Sequence, residues 1–148
     1  SWDPVNANAY QHNYVEYRGQ MKSKMKEWHD VLNPLKGNKV VSAHDGFQYF
    51  ESDYGFHHIA SIQTNTDVAL SIKRIDALNE LIKSQQVSCL FSEPQVPERS
   101  IQTLVRRNSL KLATLDILGG GLPLGDDLYF KLMDYNVQAI VDCYSSEN

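Results

Sequence analysis

Tyr10, Tyr14, Tyr17, Met21, Met25, Trp28 and Leu32 recur at spacings of three and four, which sets them on one face of a helix. Asp3-Pro4 reads as an N-cap with proline at the first helical position. Asn33-Pro34 ends the helix, because the residue before a proline is pushed out of the helical region. After the Gly37-Asn38 turn the pattern changes to short apolar runs separated by helical stretches. Residues 39–43 (KVVSA), 56–62, 87–91 (VSCLF) and 110–115 (LKLATL) read as strands. Between them lie a helix around 46–54, a periodic one marked by Val68, Ile72, Ile75, Leu78 and Ile82, and a shorter one over 101–107. A last helix begins near Asp126 and turns Tyr129, Leu132, Met133, Val137, Ile140 and Val141 inward.

Strands alternating with helices predict an α/β domain built on a four-stranded, mainly parallel sheet flanked by helices. The leading helix has no strand before it, as though its other half supported a preceding domain. A chain of 148 residues is long enough to bury a real core. Its formal net charge of −4 speaks against nucleic acid, whose phosphates call for a basic face. No run approaches the roughly 18 apolar residues of a bilayer span. The chain opens SWDPVNANAY, with no initiator Met, basic n-region or apolar h-region, and so reads as a processed or trimmed piece. Cys89 and Cys143 are either two unrelated buried thiols or, in an exported protein, a natural pair.

Ligands of open α/β sheets bind beyond the carboxyl ends of the strands. The residues there are His44-Asp45 after the first strand, Glu93 after the third and Asp116 after the fourth. The His44 imidazole and the carboxylates of Glu93 and Asp116 are nitrogen and oxygen donors suited to a divalent metal. Each has a plainer reading: His44 as a cap or hydrogen-bonding residue, Asp116 as a cap for the next turn, Glu93 as an acceptor for loop backbone. His57 and His58 fall within a strand and point to opposite faces, a poor arrangement for chelation. His12 and His29 belong to the surface of the first helix. The glycine run LGGGLPLG has no following G-K-[ST], no GxGxxG follows the first strand, and there is no GxSxG, so a phosphotransferase or serine hydrolase is unsupported.

PLKGNKVVSAHDGFQYFESDYGF, CLFSEPQ and TLDILGG, in this order, resemble the C-terminal lobe of the zinc-uptake solute-binding proteins, the ZnuA-like group. DPVNANAYQHNYVEY is similar to the second half of the long helix that joins their two lobes. The resemblance implies a binding protein rather than an enzyme, with residues 1–34 as part of the inter-lobe helix and 35–148 as the metal-binding lobe. It carries the lobe's histidine ligand onto His44 and an aspartate ligand onto Asp116, with Zn2+ as the cargo in a site this lobe leaves incomplete. Manganese-binding relatives carry glutamate at the position of His44, and imidazole suits zinc better. The resemblance further implies a disulfide between Cys89 and Cys143, a periplasmic location, and two partners: an N-terminal lobe bearing two more histidines, and the permease of an ABC importer. Self-association of the isolated lobe is a further expectation, since surface that faces the other lobe is left open. Glu93 has no assigned role in that family pattern; it either orients a ligand from behind or serves the fold. Two competitors remain: a manganese binder of the same family, and a small metal-dependent hydrolase using His44, Glu93 and Asp116. A third is an interaction module of this fold that has lost its metal site.

Overall fold

The computed structural model describes residues 3–63, 71–96 and 98–145; Val68, assigned above to a helix, lies outside them. The elements run α1 (Ala7–Leu32), β1 (Lys39–His44), α2 (Gln48–Tyr54), β2 (His57–Gln63), α3 (Ile72–Gln85), β3 (Cys89–Ser92), α4 (Glu98–Asn108), β4 (Lys111–Thr114) and α5 (Leu128–Tyr144). The strands form one sheet in the order β2-β1-β3-β4, and every neighbouring pair is parallel. Parallel neighbours need a crossover connection, and α2, α3 and α4 supply it.

Helices cover both faces, which is why the central strands are nearly continuous apolar runs rather than alternating ones. One face sets Val40, Cys89, Phe91 and Ala113 against Trp28 and Leu32 of α1, Tyr54 of α2, and Val137 and Ile140 of α5. The other sets Val41, Ala43 and Leu90 against Leu78 and Ile82 of α3 and Ile101 and Leu104 of α4. Adjacent residues of β1 thus serve opposite layers, as the two-residue period of a strand requires.

The start of α1 differs from the sequence expectation, whereas its end, at Leu32 just before Asn33-Pro34, falls where the sequence sets it. Its first residue is Ala7, and Asp3 does not cap it. The Asp3 carboxylate accepts from Asn6 N–H, from the Asn6 amide at 2.8 Å and from the Tyr10 hydroxyl at 2.8 Å, which holds residues 4–6 in a turn ahead of the helix. At the other end Asn33 keeps helical angles (φ −55°, ψ −38°) and the chain tightens into a 3-10 turn, Asn33–Leu35. Pro34 sits at the start of that turn, where a missing N–H leaves no bond unmade, so the preference of the residue before proline is overridden. The apolar face of α1 is only half used: Trp28 and Leu32 are buried, whereas Tyr10 and Tyr14 are 58% and 56% exposed.

The buried half of α1 is tied to α5. Trp28 Nε1 donates to Asp134 Oδ1 at 2.7 Å, Lys24 Nζ reaches the same oxygen at 3.0 Å, and Tyr17 packs on Phe130 with ring centroids 5.2 Å apart. Asp134→Ala leaves the buried indole N–H without an acceptor, and the expected loss is about 1–3 kcal/mol of unfolding free energy. Asp134→Asn, which keeps an acceptor oxygen, should recover most of it in a urea titration followed by tryptophan fluorescence.

Candidate metal site

Parallel register brings the candidate residues to one edge. Ser42 pairs with Phe91 across β1 and β3, so continuing the ladder sets His44 opposite Glu93. Ser92 pairs with Thr114 across β3 and β4, and the same continuation sets Asp116 one step further along. His44 is the last residue of β1, Glu93 follows β3, and Asp116 lies two residues beyond β4.

His44 Nδ1 contacts a carboxylate oxygen of Glu93. The histidine side chain is 36% exposed and that of Glu93 6%, so the carboxylate stands behind the ring and the ring faces outward. With Nδ1–H donated to the carboxylate, Nε2 is the nitrogen left with a lone pair, and among the described residues no hydrogen bond occupies it. The ring also rests on the backbone at Gly46, where an added Cβ would stand 2.7 Å from His44 Cε1. Of the two roles considered for Glu93, orienting the imidazole is the one its geometry fits. The short spacing from strand to loop in CLFSEPQ did not reveal this, because it depends on β3 being the neighbour of β1.

Asp116 adopts the turn-capping arrangement. Its Oδ1 accepts from Leu118 N–H and Gly119 N–H, both at 2.9 Å, and Oδ2 from Gly121 N–H at 3.4 Å. The Asn136 side chain brackets its backbone, accepting from Asp116 N–H and donating to Asp116 O, each at 2.8 Å. Burial by itself would raise the carboxyl pKa, but the N–H groups of Leu118, Gly119, Gly121 and Gly120 together outweigh it and hold the pKa below the ordinary 3.8. A carboxylate stabilised this way in the fold adds stability that is fully present above the unfolded pKa and is lost as pH falls through the folded one. Asp116→Ala should therefore cost about 1–3 kcal/mol near neutrality. It should also flatten the fall in stability on acidification below the ordinary carboxylate pKa, which thermal melts across that range would show. Asp116 lines an open hollow of about 270 Å³ together with Pro94, Gln95, Leu122 and Tyr135.

Three of the four other histidines, His12, His29 and His58, are engaged elsewhere. His12 pairs with Glu16 at 3.7 Å on exposed α1, and His29 reaches Asp53 at 3.4 Å and packs on Tyr54. His58 contacts buried Glu51 at 3.0 Å and Ser61 Oγ at 3.2 Å, helped by a bulge in β2 beside Val40/Val41. Among the described residues no three His, Cys, Asp or Glu side chains gather closely enough to hold a metal ion. Cys89 of β3 and Cys143 of α5 are joined in a disulfide. Among the described residues no helix is long and apolar enough to cross a membrane.

The fold is a parallel α/β sheet covered on both faces, with an imidazole braced by a buried carboxylate at the carboxyl end of β1. Residues 1–143 match the family of the periplasmic zinc-uptake complex component A, ZnuA, and the chain belongs to that family. It is 32% identical over 143 residues to the high-affinity zinc uptake system protein ZnuA of Brucella suis biovar 1, a match that spans 97% of this chain and 43% of that protein. A crystal structure of ZnuA superposes with a TM-score of 0.78 at 22% identity, over 97% of this chain and 51% of that one. The solute-binding protein FpvC from Pseudomonas aeruginosa, in complex with Mn2+, has the same fold, with a TM-score of 0.74 at 22% identity over 96% of this chain and 53% of that one. The chain thus spans less than half the length of the curated relatives it matches. The family is one of metal uptake, and nothing in it favours the hydrolase reading.

Proposed function

We propose that this chain is the C-terminal lobe of a protein that captures Zn2+ in the periplasm and delivers it to an ABC importer. On this reading residues 1–34 are the segment that carries the second half of the inter-lobe helix, as α1, and 35–148 are the lobe itself. The observation that carries the proposal is the His44 imidazole, partly exposed at the carboxyl edge of the sheet, anchored through Nδ1 by buried Glu93, with no hydrogen bond to Nε2 among the described residues. Carboxylate-braced histidine is the usual form of a metal-binding imidazole, because the brace fixes both tautomer and ring orientation. A nitrogen donor also favours zinc over manganese. Asp116 is the second candidate ligand. Its Oδ1 is taken by two N–H groups and its Oδ2 by a single long contact, so Oδ2 is the oxygen with capacity to spare. The half-exposed aromatic face of α1, with Tyr10 and Tyr14, fits a surface that meets the rest of a longer helix and the other lobe.

One imidazole and at most one carboxylate fall short of the three or more protein ligands that zinc sites ordinarily use. Calorimetric titration of the 148-residue chain should accordingly show weak zinc binding, and titration of the two-lobe protein tight binding of one ion. Tight one-to-one binding by the chain as a monomer would mean a full site elsewhere, and absence of binding by the two-lobe protein would sink the proposal. If the chain tightens its grip as its concentration rises, self-association is pairing two incomplete sites.

A further inference from the structure

The residue after His44 begins the single Asp-Gly step in the chain, Asp45-Gly46, and the chain has no Asn-Gly step. Both residues are exposed and lie between the end of β1 and the start of α2, outside the strand ladder. Gly46 N–H donates to His44 O at 3.0 Å, which closes a three-residue turn centred on Asp45 and folds the chain sharply there. Among the described residues no hydrogen bond or ion pair occupies the Asp45 carboxylate. A backbone nitrogen following an aspartate can attack that residue's own side-chain carbon, and the main obstacle is the Cβ of the residue that carries the nitrogen. Glycine has none.

We propose that Asp45 is a site of spontaneous isomerisation to isoaspartate, and that the change disables the metal-binding edge. Gly46 N forms a bond to Asp45 Cγ, the Cγ–OH bond breaks, and the hydroxyl leaves as water with the amide proton, giving a five-membered succinimide. Water then opens the ring at either carbonyl. Opening at the Asp45 main-chain carbonyl reroutes the backbone through Cβ and Cγ and leaves the original main-chain carbon as a free carboxylate. Water is lost once and regained once, so no oxidant or further reactant enters and the mass is unchanged. The product carries an extra methylene in the main chain directly after His44. The imidazole is seated on the backbone at Gly46 on one side and on Glu93 on the other, so lengthening this stretch takes away one of its two seats. The functional consequence rests on His44 being a zinc ligand; the modification does not.

The test holds the 148-residue chain at neutral pH in the warm and maps residues 40–73 as a tryptic peptide by electron-transfer fragmentation and isoaspartyl methyltransferase labelling. IsoAsp at position 45 should accumulate without change of mass. Asp45→Ser should abolish it, and Asp45→Asn should hasten it with the small mass gain of deamidation. Zinc titration of the aged two-lobe protein should show a fraction bound about 10–100-fold more weakly, the scale of losing a ligand's support. Aged Asp45→Ser should titrate like fresh protein. A free peptide of this sequence that isomerises while the folded chain does not would overturn the proposal. IsoAsp that accumulates with zinc affinity unchanged would overturn its consequence, provided that His44→Ala does weaken zinc; if His44→Ala is also silent, it is the ligand assignment that has failed.

Discussion

His44→Ala in the two-lobe protein is expected to weaken zinc binding by about 100-fold or more. Structural zinc sites hold their ion with roughly 10–16 kcal/mol shared over four ligands, so one ligand is worth roughly 3 kcal/mol, about two orders of magnitude in affinity. The substitution removes a ring that is partly exposed at a strand end, so lost packing is minor. It also strands the Glu93 carboxylate, which is 6% exposed, and a loss of about 1–3 kcal/mol in stability should accompany the loss of zinc. Glu93→Gln separates the two effects. It keeps the His44 imidazole but replaces the carboxylate brace with a neutral amide, for which the expected cost is about 10–100-fold in affinity. His12→Ala, on the exposed face of α1, should leave the titration unchanged. A competition titration against a zinc chelator would rank the four proteins. His44→Ala indistinguishable from the parent would remove the site from this edge of the sheet.

The architecture was legible because its signals are local. Runs such as KVVSA and VSCLF, bounded by turn residues and separated by helical periods, dictate a buried parallel sheet without any knowledge of which strand lies next to which. The end of α1 at Asn33-Pro34 was legible too, but the local conformation at its two ends was not, because it depends on particular bonds. Asp3 is drawn to Asn6 and Tyr10 rather than to a helical N–H, and Pro34 is absorbed by a 3-10 turn. Residue types and fold class could place His44, Glu93 and Asp116 beyond strand ends. They could not say that Glu93 touches the His44 ring, since that follows from β3 lying beside β1 and from the register Ser42 to Phe91. For Asp116 the plainer reading and the ligand reading are compatible. The carboxylate does fold the glycine loop, as an aspartate before glycines should, and it still lines the open hollow. The pairing of Cys89 with Cys143 came from family resemblance alone; their spacing left two free thiols equally open.

That disulfide carries the largest stability effect expected of any side chain here. It closes a sequence separation of 54 residues, for which the chain-entropy model gives about 4 kcal/mol through restriction of the unfolded state. Against the roughly 5–15 kcal/mol that holds a typical domain together, this is a large share. The bond also pins the centre of the sheet, at β3, to α5, which packs beside α1. Cys89 and Cys143 are 0% and 4% exposed and sit in the apolar layer with Val40, Phe91 and Ile140. Replacing both by alanine should lower the urea midpoint by the cross-link's contribution plus a small cavity term. Replacing both by serine should lower it further, by about 1–3 kcal/mol for each buried hydroxyl that finds no partner. Reductant should bring the parent protein down close to the double alanine variant while leaving that variant unmoved. The same experiment bears on location, because such a bond persists in an oxidising compartment and not in a reducing cytosol. Protein exported to the periplasm should lack the two thiol hydrogens by mass, whereas protein retained in the cytosol should carry both thiols free and melt lower. Two alkylatable thiols in exported protein, with a midpoint indifferent to reductant, would refute the bond and remove one support for the periplasmic assignment.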